Sequence, residues 1–350
     1  FEDSVKKLLA FIETQYPYPE ADFMAGKIYR LEGEYAFAHK FYSQAYRDAA
    51  VLDVPDEKYD ILYALAENSL VQKKYEDYEK YLSYHDKNKV MDLIHCEELW
   101  AKMDKPEATR SSSGEVIQVL KKAVPNLFGG SADLAPSNKT EMKGEGFFAR
   151  DNRLGKNIHF GVRELAMAGI ANGILLHGGY RSFVATFFVF SDYIKPMARL
   201  AALMQIPQIF VLTHDSIGVG EDGPTHEPIE QLAMLRSMPN FRVFRPADRQ
   251  ETVAAWFSAL SSTDCPTAIV LSRQNLPQLD GSGKKALKGA YIIKEASKST
   301  PDMILIASGS EVSLAIEAAA ELEKDNISTR VVSMPCTDIF EEQSKEYKES

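Results

Sequence analysis

QIFVLTHDSIGVGEDGPTHEPIEQLAMLRSM, residues 208–238, holds a strand, a glycine-rich loop and the start of a helix, and its reading decides what kind of chain this is. Gln208 to Thr213 is a nearly continuous apolar run of strand character, and Pro228 to Met238 has helical spacing. Between them, Gly218-Val-Gly220-Glu-Asp-Gly223 fits the GxGxxG template of a dinucleotide cradle. Acids sit inside that template. Glu221 and Asp222 stand where anionic phosphates would lie, and at low effective dielectric the repulsion cancels the benefit of such a site. His214 to Ile217 also separate the strand's end from the first glycine, which displaces the tight turn the cradle needs. What remains is a loop at the carboxyl end of a strand, carrying His214, Asp222 and His226 on bends that glycine permits. Imidazoles exchange protons near neutral pH or hydrogen-bond sugar oxygens, and a carboxylate accepts from a hydroxyl, so this cluster suits a hydroxyl-rich ligand. A solvated surface loop with an Asx turn is the bland alternative, and the density of the cluster at a strand terminus weighs against it.

Around this unit the same grammar repeats. Asn126 to Gly130, Asn157 to Phe160, Arg181 to Phe187, Phe241 to Arg245 and Thr267 to Ser272 read as strands. Arg163 to Leu176, Asp192 to Met204 and Gln250 to Ser261 read as helices. Strand-helix alternation with apolar strands predicts an α/β fold whose parallel sheet is covered on both faces. After a polar turn near Asp280 to Lys285, a further βαβ start opens with Met303 to Ala307, SGSEVSLAIEAAAELEK and Thr329 to Ser333. A doubly wound domain needs more strands than these, so the chain is expected to continue beyond Ser350.

The first part of the chain is different. Up to residue 93 it contains 12 of the 16 tyrosines but only Gly26 and Gly33 of the 20 glycines, which suits helical hairpins. Val5, Leu8, Leu9 and Ile12 have helical spacing, and Pro17 and Pro19 stop that helix. Gly26 and Tyr29, followed by Ala38, Tyr42 and Ala45, resemble a tetratricopeptide repeat, although Asp22 takes the tryptophan-type position. A looser hairpin is expected from Tyr59 to Tyr84. The domain plan is therefore helical hairpins at 1–93, a connector at 94–107, an α/β domain at 108–283 and an incomplete second α/β domain at 284–350.

Charge narrows the partners. A net charge of −10 opposes polyanion binding, so no nucleic-acid partner is expected and any phosphate must be small and locally chelated. Cys96, Cys265 and Cys336 have no paired spacing, which suggests neither a disulfide framework nor a zinc site. No apolar run approaches the ~20 residues that span a bilayer, so a cytoplasmic location without membrane attachment is expected.

Seven motifs in order carry a resemblance: ATRSSSGEVI at 108, GGSADLAPSNKT at 129, IHFGVRELAMAGIANG at 158, ATFFVFSDY at 185, THDSIGVGEDGPTHEPIE at 213, RPAD at 245 and LSRQNLP at 271. From about Ala108 onward the chain resembles a transketolase. The resemblance implies a thiamin diphosphate-binding-type pyrimidine domain and the start of the family's C-terminal domain. It also implies transfer of a two-carbon ketol unit between sugar phosphates, with thiamin diphosphate and Mg2+ as cofactors. No GDG-bearing diphosphate domain occurs among residues 1–107, so the metal ligands are expected on a partner chain or missing domain, and the working form is expected to be a homo- or hetero-oligomer.

The resemblance also assigns roles. Glu164 matches the glutamate that hydrogen-bonds the cofactor's pyrimidine nitrogen and favours its imino tautomer. Alone it could be a helix-dipole residue, and the apolar LAMAGIANGILL behind it is expected to be buried. Phe187 and Phe190 match the rings that stack on the pyrimidine, with Tyr193 nearby and Asp133 also facing the cofactor. Arg110, Ser137, His214 and Arg273 match the groups that hold a sugar phosphate. Asp222 matches a reader of a substrate hydroxyl, and His226 a catalytic group near the reacting carbon. Two other readings remain open. One is a 2-oxo acid dehydrogenase β-type subunit, against which Arg110, Ser137 and Arg273 argue. The other is a non-catalytic repeat protein joined to an orphaned transketolase half.

Overall fold

The computed structural model describes residues 19–52, 61, 64, 65, 68, 87–152, 154–177 and 180–349, which fall into two units, Phe1–Asp86 and Lys87–Ser350. In the first unit, α1 (Pro19–Leu31) and α2 (Tyr35–Leu52) form a hairpin. Gly26 lets them approach closely, because a β-carbon there would lie 2.4 Å from the Tyr42 ring. Ala38, Tyr42 and Ala45 are buried with Ile61, Ala64 and Leu65. The helix expected over Val5 to Ile12 and the rest of the hairpin expected from Tyr59 to Tyr84 lie outside the described residues.

The second unit opens with α3 (Lys87–Asp92), α4 (Thr109–Ala123), β1 (Leu127–Ser131), α5 (Ala135–Asn138), β2 (Asn157–His159), α6 (Glu164–His177) and β3 (Arg181–Phe187). It continues through α7 (Ser191–Leu203), β4 (Ile209–Thr213), α8 (Gln231–Arg236), β5 (Arg242–Phe244), α9 (Arg249–Ser261) and β6 (Thr267–Leu271). These six strands form one sheet in the order β2-β1-β3-β4-β6-β5, with every pair parallel.

Alternate side chains along each central strand enter opposite cores, as the two-residue period requires. Phe183, Ala185, Ile209, Val211, Ile269 and Leu271 pack on one side with α4 and α9. Val184, Phe210, Leu212, Ala268 and Val270 pack on the other side with α6 and α7. Parallel strands with a common direction bring the carboxyl ends of β1, β2, β3, β4 and β6 to one edge, where open α/β sheets place ligands.

The structure departs from the sequence expectation in several places, the first being that residues 87–93, expected in the helical-hairpin domain, belong to the second unit, where Val90 and Leu93 are buried in its core. Residues 94–107 are not a free connector: Leu99 is fully buried in the core beneath α9, and Gln250 donates through Nε2 to the Trp100 carbonyl at 3.0 Å. The helix expected over Pro228 to Met238 contracts to Gln231–Arg236. Finally, α6 is only partly covered, since Leu165, Ile170 and Leu176 are each about half exposed.

A second sheet follows. β7 (Tyr291–Lys294), β8 (Met303–Ala307), α10 (Glu311–Lys324), β9 (Thr329–Ser333), α11 (Thr337–Glu341) and α12 (Lys345–Glu349) give the strand order β7-β9-β8. β9 is parallel to β8 and antiparallel to β7. Tyr291, Cys336 and Ile339 complete the core that begins beneath the first sheet, so the two sheets share one apolar interior.

Candidate active site

Two chain segments are stitched together beside the carboxyl edge. Glu107 and Leu276 exchange backbone hydrogen bonds at 3.0 and 3.1 Å, and the Ser272 amide donates to Thr109 Oγ1 at 2.7 Å. This places Arg110, the second residue of α4, near Arg273. The field of Arg273 and partial burial both lower the pKa of the Arg110 guanidinium, burial contributing most. Two like charges held near each other in this way can together attract a small anion. Ser137 contributes through its backbone: its carbonyl accepts from Arg110 Nη1 at 2.9 Å.

His214 follows β4 with φ +64°, a left-handed conformation uncommon for a non-glycine residue, and is only 2% exposed. Thr213 Oγ1 donates to Asn138 Oδ1 at 2.6 Å, so its contact with His214 Nδ1 at 2.8 Å requires the imidazole to donate. Nε2 then accepts from Arg110 Nη1 at 3.4 Å. Burial first, and Arg110 second, lower the His214 pKa to about 4. The expected proton exchange near neutral pH therefore does not hold for His214, which is a neutral ring at pH 7. Its ring hydrogen-bonds Thr213 and Arg110 and packs with its centroid 3.7 Å from that of Phe187.

The aromatic residues continue the surface. Phe187 and Phe190 lie 6.0 Å apart at 8° from parallel, and His226 meets Phe190 edge-on at 5.4 Å. Tyr193 lies 6.1 Å from Phe190 and is 59% exposed. Thr225 Oγ1 contacts His226 Nδ1 at 2.9 Å. Gly220 and Gly223 have φ values of +86° and +76°, so the loop's glycines provide bends, as the sequence implied. Asp222 is exposed, and its charge acts on both Arg110 and His214. The turn after β1 presents Asp133, also exposed, at φ +62°.

Glu164 begins α6 just beyond β2 and is 8% exposed. Among the described residues no side chain hydrogen-bonds its carboxylate. Its carboxylate oxygens are not among the fully enclosed polar atoms that lack a partner, so they remain accessible, and an N–H donor from a ligand can reach them. Among the described residues no cluster of three or more His, Cys, Asp or Glu side chains could hold a metal ion.

Sequence reasoning missed Asp215 and Arg245, a buried ion pair at 2.8 Å immediately behind His214. It also missed Asp248 as the residue that caps α9, accepting from the Glu251 amide at 2.9 Å. RPAD carries Arg245 and Asp248 together, and that dense tetrapeptide at a strand's end was the available signal.

Comparison with known proteins follows the same residues. Residues 105–278 match the family described as "Transketolase, pyrimidine binding domain", and residues 289–350 match "Transketolase-like TK C-terminal domain". A transketolase of Halalkalibacterium halodurans is 62% identical over 249 residues, covering 70% of this chain and 37% of that protein. The matched region thus spans little more than a third of the relative's length. A Pichia stipitis transketolase in complex with sedoheptulose-7-phosphate aligns with a TM-score of 0.74 at 37% identity, covering 89% of this chain and 46% of the other. A split-gene transketolase, described as an inactive beta4 tetramer, aligns with a TM-score of 0.54 at 28% identity, covering 66% of this chain and 72% of the other.

Proposed function

Over residues 105–350 the chain belongs to the transketolase family, and from that premise we propose that it contributes the pyrimidine-side half of a site for ketol transfer between sugar phosphates. The observation that carries this reading is the convergence of Glu164, Phe187 and Phe190, Arg110 and Arg273, and the His214 loop at one edge of a parallel sheet. Thiamin diphosphate, when bound, supplies the electron sink for cleaving and forming the carbon–carbon bond. Glu164 would accept a hydrogen bond from the pyrimidine and hold a proton at its ring nitrogen, and Phe187 and Phe190 would offer their apolar faces to the ring. Asp133 and Tyr193 are assigned to the cofactor's surroundings, Tyr193 lying beside Phe190.

Arg110 and Arg273 grip the substrate's phosphate, with Ser137 seating Arg110. His214 presents a neutral polar edge to the sugar, and Asp222 accepts from one of its hydroxyls. His226 moves a proton at the substrate oxygen nearest the reacting carbon.

The diphosphate and its magnesium are assigned to groups outside residues 87–349, on a partner chain or another part of a longer protein. The half-exposed Leu165, Ile170 and Leu176 of α6, which begins at Glu164, and the exposed Tyr193 and Leu203 of α7, which begins just after Phe190, support such a partner. The split-gene relative supports the same division. Among the described residues no helix is long and apolar enough to cross a membrane, and a cytoplasmic setting is proposed.

The test is ketol transfer by this chain supplemented with a polypeptide carrying the diphosphate half, thiamin diphosphate and magnesium. Arg110→Ala and Arg273→Ala should each raise KM for a ketose phosphate about tenfold or more, and leave KM for an unphosphorylated hydroxyketone unchanged. Equal losses on both substrates would remove the phosphate assignment.

A further inference from the structure

We propose that Asp215 and Arg245 are positioning residues that hold His214 in its site-facing conformation and tie that conformation to the seating of the second sheet. The functional meaning of this rests on the substrate-site reading above. A non-glycine residue in the left-handed region is strained and persists only where its surroundings over-determine it. For His214 the ring is fixed by Thr213 and Arg110. The chain after it is fixed by Asp215, whose Oδ2 accepts from Arg245 Nε at 2.9 Å and lies 2.8 Å from Nη2.

The remaining donors of the same guanidinium reach the second sheet. Nη1 donates to the Ser308 carbonyl at 2.8 Å and pairs with Glu311, the first residue of α10. Nη2 donates to Ser310 Oγ at 3.1 Å. Backbone contacts reinforce the joint, with the Arg245 amide donating to the Pro335 carbonyl at 2.8 Å and the Gly309 amide to the Arg245 carbonyl at 3.1 Å. A β-carbon at Gly309 would lie 2.7 Å from Arg245 Cζ, so the guanidinium occupies the space a side chain would need. Docking of the two sheets is served by the contacts to residues 308–311 and to Pro335. The additional donors directed at the residue next to His214 are what docking does not explain.

The deciding experiment is a nitrogen NMR titration of the His214 imidazole in the full 350-residue chain, without substrate, comparing the wild type with Asp215→Asn, Arg245→Lys and Glu311→Gln. Removing the nearby carboxylate charge in Asp215→Asn would by itself depress the imidazole pKa further. Release of the ring toward solvent and away from Arg110 does the opposite. The proposal predicts a rise from about 4 to about 5 or above in Asp215→Asn and Arg245→Lys, and a smaller rise in Glu311→Gln. In the reconstituted enzyme the same variants should raise KM for the ketose phosphate about three- to tenfold, with kcat within about twofold.

An unchanged or lowered His214 pKa, accompanied by a lower melting temperature, would show that the pair only docks the sheets and would overturn the proposal. Should Asp215→Asn fail to fold, Arg245→Lys and Glu311→Gln decide the same question, since the latter changes a half-exposed carboxylate. A rise in pKa without any change in KM would leave the positioning role standing and count against the substrate reading.

Discussion

His214 shows how far a tertiary environment can redirect a residue's chemistry. Sequence places it beside a second histidine in a hydroxyl-friendly loop, where proton exchange is a natural expectation. The structure buries it, sets it against Phe187 and aims Arg110 at its ring, so the neutral form persists to about pH 4. None of this is visible locally, because Arg110 lies 104 positions earlier in the chain. The lowered pKa has a stability consequence with a definite sign. Between about 6.5 and about 4 the unfolded chain binds a proton at His214 that the folded chain does not, so this residue's contribution is present above that window and lost as pH falls through it. Denaturant unfolding of the wild type and His214→Gln across this window should show the wild type's stability falling more steeply with acidification. Parallel curves would contradict the assignment.

At the scale of elements, β3, β8 and β9 are legible to the residue: β8 is an apolar run, β3 and β9 are rich in β-branched and aromatic residues, and β9 closes the βαβ unit that β8 opens. α4 is not recognisable as a helix from its periodicity, although its motif stands out. It begins Thr-Arg-Ser-Ser-Ser-Gly, and the spacing of apolar residues cannot show that Ser112 and Ser113 face the core. Their burial is made possible by partners elsewhere: Ser113 Oγ accepts from the indole of Trp256 in α9 at 2.8 Å. Trp256 is fully buried and meets Phe183 edge-on at 5.8 Å, so it joins two helices and the sheet. Trp256→Ala should cost about 3–5 kcal/mol in chemical denaturation, through cavity formation and a stranded serine hydroxyl. A cost below about 1 kcal/mol would mean that α4 and α9 do not depend on this contact.

At the scale of the whole molecule, sequence yielded the parallel sheet, the edge at which residues converge and the change of grammar after the first helices. It did not yield the joint between the two sheets, because that joint is built from polar groups that only folding assembles. Glu251 is buried there, accepting from Tyr291 at 2.8 Å and Ser333 at 2.5 Å, and burial together with Asp248 pushes its carboxyl up to about 7. Its contribution to stability is therefore full below about pH 4.5 and lost as pH rises toward 7. Relative to the wild type, Glu251→Gln should gain in melting temperature as pH rises through this window, and a pH-independent difference would contradict the assignment. The central claim concerns the other end of the sheet, where the carboxylate of Glu164 has no side-chain partner among the described residues and stays accessible. Its most direct test is the rate of ketol transfer in the reconstituted enzyme with Glu164 and with Glu164→Ala. Turnover should fall by at least about 100-fold with folding intact, whereas undiminished turnover in the variant would contradict the account.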